Sequence, residues 1–134
     1  MLPPKGYRAS GLSCGIKDDE IKDIALIASD RPASAASVFT TNIVQAAPVH
    51  LNRKHVSNGS AQAILVNSGN ANACTGEQGI ADAREMAKRT AAELGLLQSQ
   101  VLVNSTGLIG AQLPIDRITS QIPALVQGLQ SKNS

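Results

Sequence analysis

Apolar positions in this chain gather in short runs, with Gly, Asn, Asp and Pro standing between them. Ile24-Ala25-Leu26-Ile27-Ala28 has strand length and is followed by Asp30-Arg31-Pro32, so it predicts a buried strand that stops there. Ser37-Val38-Phe39-Thr40-Thr41 carries β-branched and aromatic side chains and predicts its antiparallel neighbour, giving a hairpin-like opening. Residues 6–15 hold too many glycines for a helix and predict a bent, extended entry segment. Ala61-Gln62-Ala63-Ile64-Leu65-Val66, bounded by turn residues on both sides, is the clearest strand, and Gln100-Val101-Leu102-Val103-Asn104 predicts another. Between them Ile80, Ala83, Ala87, Ala91 and Leu94 recur at helical spacing, while Asp82, Glu85, Lys88, Arg89 and Glu93 fall largely elsewhere. That helix begins at Thr75-Gly76-Glu77-Gln78, which has the spacing of a capping box, and stops at Gly95. Glu85 and Arg89 are placed for a favourable ion pair one turn apart.

Residues 49–58 predict a short helix or exposed turn ended by Asn58-Gly59. Pro114 predicts the first turn of a helix through Ile118, Pro123 the start of a second through Leu129, and the polar residues 130–134 a frayed end. Strands come first, then strand, helix, strand and helix in alternation, which is an α/β or α+β layered domain.

The 134 residues suit one domain, and 43% hydrophobic against 16% charged residues is a folded composition. Tyr7 and Phe39 are the only aromatics, so the core must be filled by aliphatic residues and alanine. The same scarcity, with a net charge of only +2, excludes a base-stacking nucleic-acid surface. No apolar run approaches bilayer length and the start lacks a secretory pattern, so the expectation is a cytoplasmic protein without membrane contact. Cys14 and Cys74 lie far apart without companion ligands and read as buried free thiols.

Local chemistry is sparse. The stretch 66–80 runs from strand through a polar loop to a helix start, where backbone amides attract anions. Its glycine spacing matches neither nucleotide-binding fingerprint, and Asn67, Asn70 and Asn72 can instead hydrogen-bond a tight loop. Asn104-Ser105-Thr106-Gly107 is a strand end whose amides can face a developing oxyanion, or an ordinary strand-to-turn junction. His50 and His55 lack a nucleophile elbow or metal-ligand spacing and read as surface or core residues. Lys17-Asp18-Asp19-Glu20 lacks the ligand spacing of a calcium loop and reads as a solvated turn.

Taken in order, several segments resemble one family. They are Gly6-Tyr7-Arg8-Ala9-Ser10-Gly11, Ala36-Ser37-Val38-Phe39-Thr40-Thr41-Asn42, Ala46-Ala47-Pro48-Val49, Leu65-Val66-Asn67-Ser68-Gly69-Asn70-Ala71-Asn72-Ala73-Cys74-Thr75-Gly76 and Ser105-Thr106-Gly107-Leu108-Ile109-Gly110. The chain resembles the N-terminal part of the bacterial ornithine acetyltransferases of arginine biosynthesis, also called glutamate N-acetyltransferases.

The resemblance implies a layered sandwich in which two sheets are covered by outer helices. Residues 1–134 would be the front of its alpha subunit, a single incomplete domain. Members cut themselves before a threonine, which becomes the nucleophile of a second, beta subunit and uses its own amine as base. They move an acetyl group from N-acetylornithine to glutamate, some also accept acetyl-CoA as donor, and the subunits pair into heterotetramers. No separate cofactor is implied. The family's oxyanion hole falls on Thr106 and Gly107. The Ala-Thr-Met-Leu cleavage pattern is missing, since none of the six threonines follows an alanine, so the nucleophile is absent and the isolated chain is expected to be inactive. Two alternatives are a self-cleaving aminopeptidase of the same fold and a non-catalytic module binding a small anion in the 67–75 loop.

Overall fold

The protein is described here by a computed structural model covering residues 3–18 and 20–131. Four strands, β1 (Tyr7–Leu12), β2 (Ile24–Ser34), β3 (Ser60–Asn70) and β4 (Val101–Leu108), form one sheet in the order β1-β2-β3-β4. β1 and β2 run antiparallel, β2 and β3 antiparallel, and β3 and β4 parallel. The helices are α1 (Ala47–His55), α2 (Gly76–Leu94) and α3 (Ile115–Ser131). The parallel pair is joined through α2, as a crossover connection requires. A mixed α/β layered fold is therefore what the chain adopts.

Alternation decides which face is covered. On β3, Ala61, Ala63 and Leu65 are buried while Gln62, Ile64 and Val66 are only half-buried. On β2, Ile24, Leu26 and Ala28 are buried, whereas Ile27 keeps 41% of its surface exposed. The 24–28 run is thus buried on one face only, against the expectation of a fully buried strand. Helices α2 and α3 close the covered face with Ala83, Met86, Ala87, Ile118, Ile122, Leu125 and Leu129, against Leu26, Leu65, Val101 and Val103. The alanines of α2 give this aliphatic core its close packing.

Three expectations need correction. Ser37-Val38-Phe39-Thr40-Thr41 forms no strand, because β2 already has β1 on one edge and β3 on the other and offers no third edge. It is an exposed strap, with Val38 99% exposed, whose turn is held by Asn42 N donating to Thr40 Oγ1 and Val44 N donating to Asn42 Oδ1. Asp30-Arg31-Pro32 does not end β2. The strand continues to Ser34 through a register shift between Ala28 and Ala33, where proline is not required to donate to the ladder. Pro123 does not open a second helix either, since α3 runs through it. Ile118 and Ile122 before it and Leu125, Val126 and Leu129 after it are all buried, and their burial outweighs the ~3 kcal/mol cost of an interior proline.

Helix α2 starts where expected but by another mechanism. Thr75 Oγ1 donates to Asn72 Oδ1 at 2.7 Å and Gln78 Nε2 to Asp82 Oδ1 at 2.8 Å, so no capping box forms. Asp82 is consequently buried rather than solvated. Gly95 ends the helix in the left-handed conformation, and Arg89 Nε meets Glu85 Oε1 at 2.6 Å, both as the sequence predicts. Among the described residues no helix is long and apolar enough to cross a membrane. Asp19 of the charged turn and residues 132–134 of the polar end lie outside the described residues.

Just after the charged run stands one residue that sequence reasoning passed over. Asp23 is buried, and its carboxylate accepts from the backbone N–H groups of Cys14 (2.7 Å), Ile16 (2.7 Å) and Lys17 (2.9 Å). Burial acts to raise its pKa, but the three donors together prevail and hold it below the ordinary carboxyl value. The adjacent Cys14 thiol is pushed up to about 11, by burial first and then by this carboxylate, so it stays protonated at neutral pH. A depressed folded pKa contributes stability that is present above the unfolded carboxyl value, near pH ~4, and is lost as pH falls through the folded one. Replacing Asp23 by Asn is therefore expected to lower stability by about 2 kcal/mol at pH 7. The gap to the parent should close below pH ~4, followed by thermal unfolding across pH. A gap of equal size at low pH would show that the charge is not responsible.

Candidate active site

The carboxyl ends of the parallel strands β3 and β4 carry the Asn67 to Gly76 and Ser105 to Gly110 stretches side by side. Their register pairs Asn67 with Ser105, Ser68 with Thr106 and Gly69 with Gly107, and then slips at Asn70. Gly107 has φ +130° and lies directly on the Gly69–Asn70 backbone, where a Cβ would overlap main-chain atoms. Gly69 has φ +103°, and a Cβ there would overlap the Ile16 side chain. No other residue fits either position.

Three carboxamides fix the bend beside this contact. Asn67 is wholly buried, donates from Nδ2 to Asn70 O at 2.9 Å and accepts the Ser105 hydroxyl on Oδ1 at 2.6 Å. Asn70 donates to the carbonyls of Ala111 and Gln112 and accepts Asn72 N–H. Asn72 donates to Gly79 O and accepts Thr75 Oγ1. Asn72 and Cys74 sit at φ +49° and +56°, a left-handed backbone that this bonding holds in place. The tight-loop reading of the asparagines is what the structure contains. Each of the three carboxamide nitrogens donates to a protein carbonyl and all three asparagines are buried, so the loop turns its side-chain amides inward rather than toward an anion in solvent.

The outer edge of β4 faces α1. Asn52 donates from Nδ2 to Val103 O at 2.8 Å and accepts Val103 N–H on Oδ1 at 2.9 Å, and His55 Nδ1 lies 2.8 Å from Val101 O. A carbonyl only accepts, so His55 holds its proton on Nδ1 and is a core histidine. The helix thus occupies the edge at 101 and 103. Alternation aims the backbone groups of Ser105 and Gly107 to the same side, beyond that cover. Thr106 lies on the opposite, open face of the sheet with Leu102 and Asn104, and is exposed. Leu102, Asn104 and Ser105 adjoin a cavity of about 600 Å³ between the open sheet face and the strap, also lined by Ile64, Phe39 and Val49. Arg53 stacks on the Phe39 ring at 5.1 Å and steadies this wall.

The remaining candidates separate from this place. His50 is exposed and shares a smaller hollow with Cys74. Cys74 is exposed, contrary to the reading of both thiols as buried, because its left-handed backbone turns it out just before α2. Among the described residues no three or more His, Cys, Asp or Glu side chains come together to hold a metal. Sequence reasoning named Ser105 only as part of the Asn104-Ser105-Thr106-Gly107 strand end, without its bond to Asn67, and missed Asn52. A serine in sequence shows no partner, whereas an asparagine on the apolar side of a short helix is a detectable signal.

Comparison with known proteins gives the family and the fold. The profile of the ArgJ family matches residues 8–134. The arginine biosynthesis bifunctional protein ArgJ of Geobacter sulfurreducens is 50% identical over 95% of this chain, and that of Caldanaerobacter subterraneus subsp. tengcongensis is 50% identical over 96%. In both cases the match covers 32% of the relative, so the chain spans about a third of the length of these proteins. Among solved structures, ArgJ of Bacillus halodurans superposes with a TM-score of 0.85 at 41% identity, covering 96% of this chain and 70% of that one. The ornithine acetyltransferase of Mycobacterium tuberculosis, solved with ornithine, gives 0.89 at 41% identity, covering 92% and 67%. With the family profile matching residues 8–134 and both solved relatives superposing over more than nine-tenths of its length, the chain belongs to the ArgJ family.

Proposed function

We propose that this chain supplies the oxyanion hole of an acetyltransferase that carries the acetyl group of N-acetylornithine to glutamate through an acetyl-threonine. The observation that carries the reading is the Thr106–Gly107 pair. Thr106 is exposed on the open face, directly after Ser105 at the end of the cavity lining, and the backbone of Gly107 is turned at the free end of the edge strand where it is seated on Gly69. Two donors from neighbouring residues, on a backbone that cannot shift, meet the requirement for stabilising charge that exists only in a tetrahedral intermediate.

In this scheme the threonine Oγ, on the part of the polypeptide beyond this chain, attacks the acetyl carbonyl carbon while its own amine takes the proton. The carbonyl oxygen becomes the oxyanion facing Thr106 and Gly107. Collapse breaks the amide C–N bond and releases ornithine with the proton. The glutamate amine then attacks the ester carbonyl, the same donors stabilise the second oxyanion, and its collapse breaks the ester C–O bond, releasing N-acetylglutamate and returning the proton of the attacking amine to the threonine Oγ. The acetyl group arrives on a substrate, N-acetylornithine or acetyl-CoA, so the scheme uses no resident cofactor.

The lengths support a protein divided into two chains. The same segment fills 70% of the solved Bacillus halodurans chain but 32% of the Geobacter curated relative, so the solved polypeptide is less than half as long. The relatives' names favour acetyl transfer over the aminopeptidase reading, and the self-satisfied asparagine loop gives the anion-binding module no support.

Thr106→Ala in the full-length polypeptide is expected to lower kcat for acetyl transfer by roughly 10²-fold. Undiminished turnover would remove Thr106 from the reaction. The isolated 134-residue chain is expected to transfer no acetyl group from N-acetylornithine to glutamate. Turnover by a purified sample free of other acetyltransferases would place the nucleophile within these residues.

A further inference from the structure

We infer that Asn67 and Ser105 are positioning residues for the oxyanion hole, one buried carboxamide tying the residue before Thr106 to the β3 backbone beside Gly107. This rests on the oxyanion reading given above.

Asn67 is 0% exposed and its amide joins the two strands of the site, bonding Ser105 on β4 through one end and Asn70 on β3 through the other. Its Oδ1 accepts the hydroxyl of Ser105, the residue directly before Thr106. Its Nδ2 donates to the carbonyl of Asn70, on the far side of the register slip and part of the surface on which Gly107 rests. The approach of Thr106 is therefore tied from upstream and the seat of Gly107 from below, by the same planar group. Buried side-chain networks of this kind rigidify when every member is satisfied. Among the described residues no buried side-chain nitrogen or oxygen lacks a partner, so this network meets that condition.

The chemistry explains why an amide stands here. An aspartate at position 67 would keep the acceptor for Ser105 but set a negative oxygen against the Asn70 carbonyl. A leucine would fill the space and bond neither strand. Only a group that accepts on one side and donates on the other serves a hydroxyl and a carbonyl together. Neither Asn67 nor Ser105 needs to touch substrate, since both act on the orientation of their neighbour. Misplacing a donor by a fraction of an ångström weakens its interaction with the transition state far more than with the ground state.

The test uses the full-length processed polypeptide, with N-acetylornithine and glutamate as substrates. Ser105→Ala is expected to lower kcat by roughly 10-fold, with KM changed less than about twofold. Ser105→Thr, which keeps the hydroxyl, should restore at least half of the lost rate. The Ser105→Ala/Thr106→Ala double variant should lose less than the product of the two single losses, because part of the Ser105 effect acts through the Thr106 hydroxyl that the second substitution removes. Asn67→Asp should fall in kcat like Ser105→Ala, and if it fails to fold the serine series decides. Unchanged kcat in Ser105→Ala, or losses that multiply in the double variant, would overturn the proposal while leaving the role of Thr106 intact. Full activity of Thr106→Ala would instead overturn the oxyanion reading on which the proposal rests.

Discussion

The contact between Gly69 and Gly107 is the constraint to which the rest of this structure answers. The main chain of β3 cannot lie this close to position 107 if that position carries a side chain, while Gly69 leaves room for Ile16 and Lys17 on its other side, and both glycines take positive φ values. The register slip at Asn70 follows from the contact, because β3 must bend away once its backbone has been approached. The asparagine series follows from the bend. A bent segment loses ladder hydrogen bonds, and Asn67, Asn70 and Asn72 replace them with carboxamide bonds to carbonyls at 70, 111, 112 and 79. Gly79 follows in turn, since a Cβ there would strike Asn72 and Thr75 at the start of α2.

The support continues outward from that contact. Asp23 gathers the amides of Cys14, Ile16 and Lys17, and its carbonyl accepts Ser68 N–H. Ile16 and Lys17 are the side chains lying on Gly69. A turn between β1 and β2, far from β4 in sequence, therefore presses on one side of the glycine pair while the asparagine loop holds the other. A chain with only two aromatic residues has few large groups with which to wedge a loop into place. Here the loops are fixed by buried polar groups that each satisfy several backbone partners, which gives directional rigidity that aliphatic packing does not.

Much of this was legible in the sequence, for identifiable reasons. Strand β3 and helix α2 were readable because periodicity and turn residues agree there, and the Gly95 stop obeys a strong local rule. The strap at 37–41 was misread because β propensity says nothing about whether a sheet edge is free. Pro123 was misread because local proline rules carry no knowledge of five buried residues around it. Asp23 follows a charged run in which Lys17, Asp18 and Glu20 are exposed, and nothing local marks it as the carboxylate that turns inward. The Thr106–Gly107 site was open to two readings from composition alone, and family resemblance pointed to one. The physical reason for it, the missing Cβ at 107 above Gly69, exists only when two strands separated by a helix are brought together.

The apolar runs that suggested burial on both faces were not simply mistaken. Ile27, Ile64 and Leu102 stand on the sheet face opposite the helices, and a strand that is apolar on both sides belongs in a sheet with two covers. The described residues provide one. The strap carries the same pattern outward, with Val38 at 99% and Ile43 at 98% exposure on a segment whose turn is nonetheless held by its own hydrogen bonds. A shaped apolar surface of this kind fits contact with further protein better than contact with water. Relatives three times as long have the chain to supply that contact. The proposed oxyanion donors sit at the margin of this uncovered face, where a nucleophile carried by a second layer would reach them without passing through the helices.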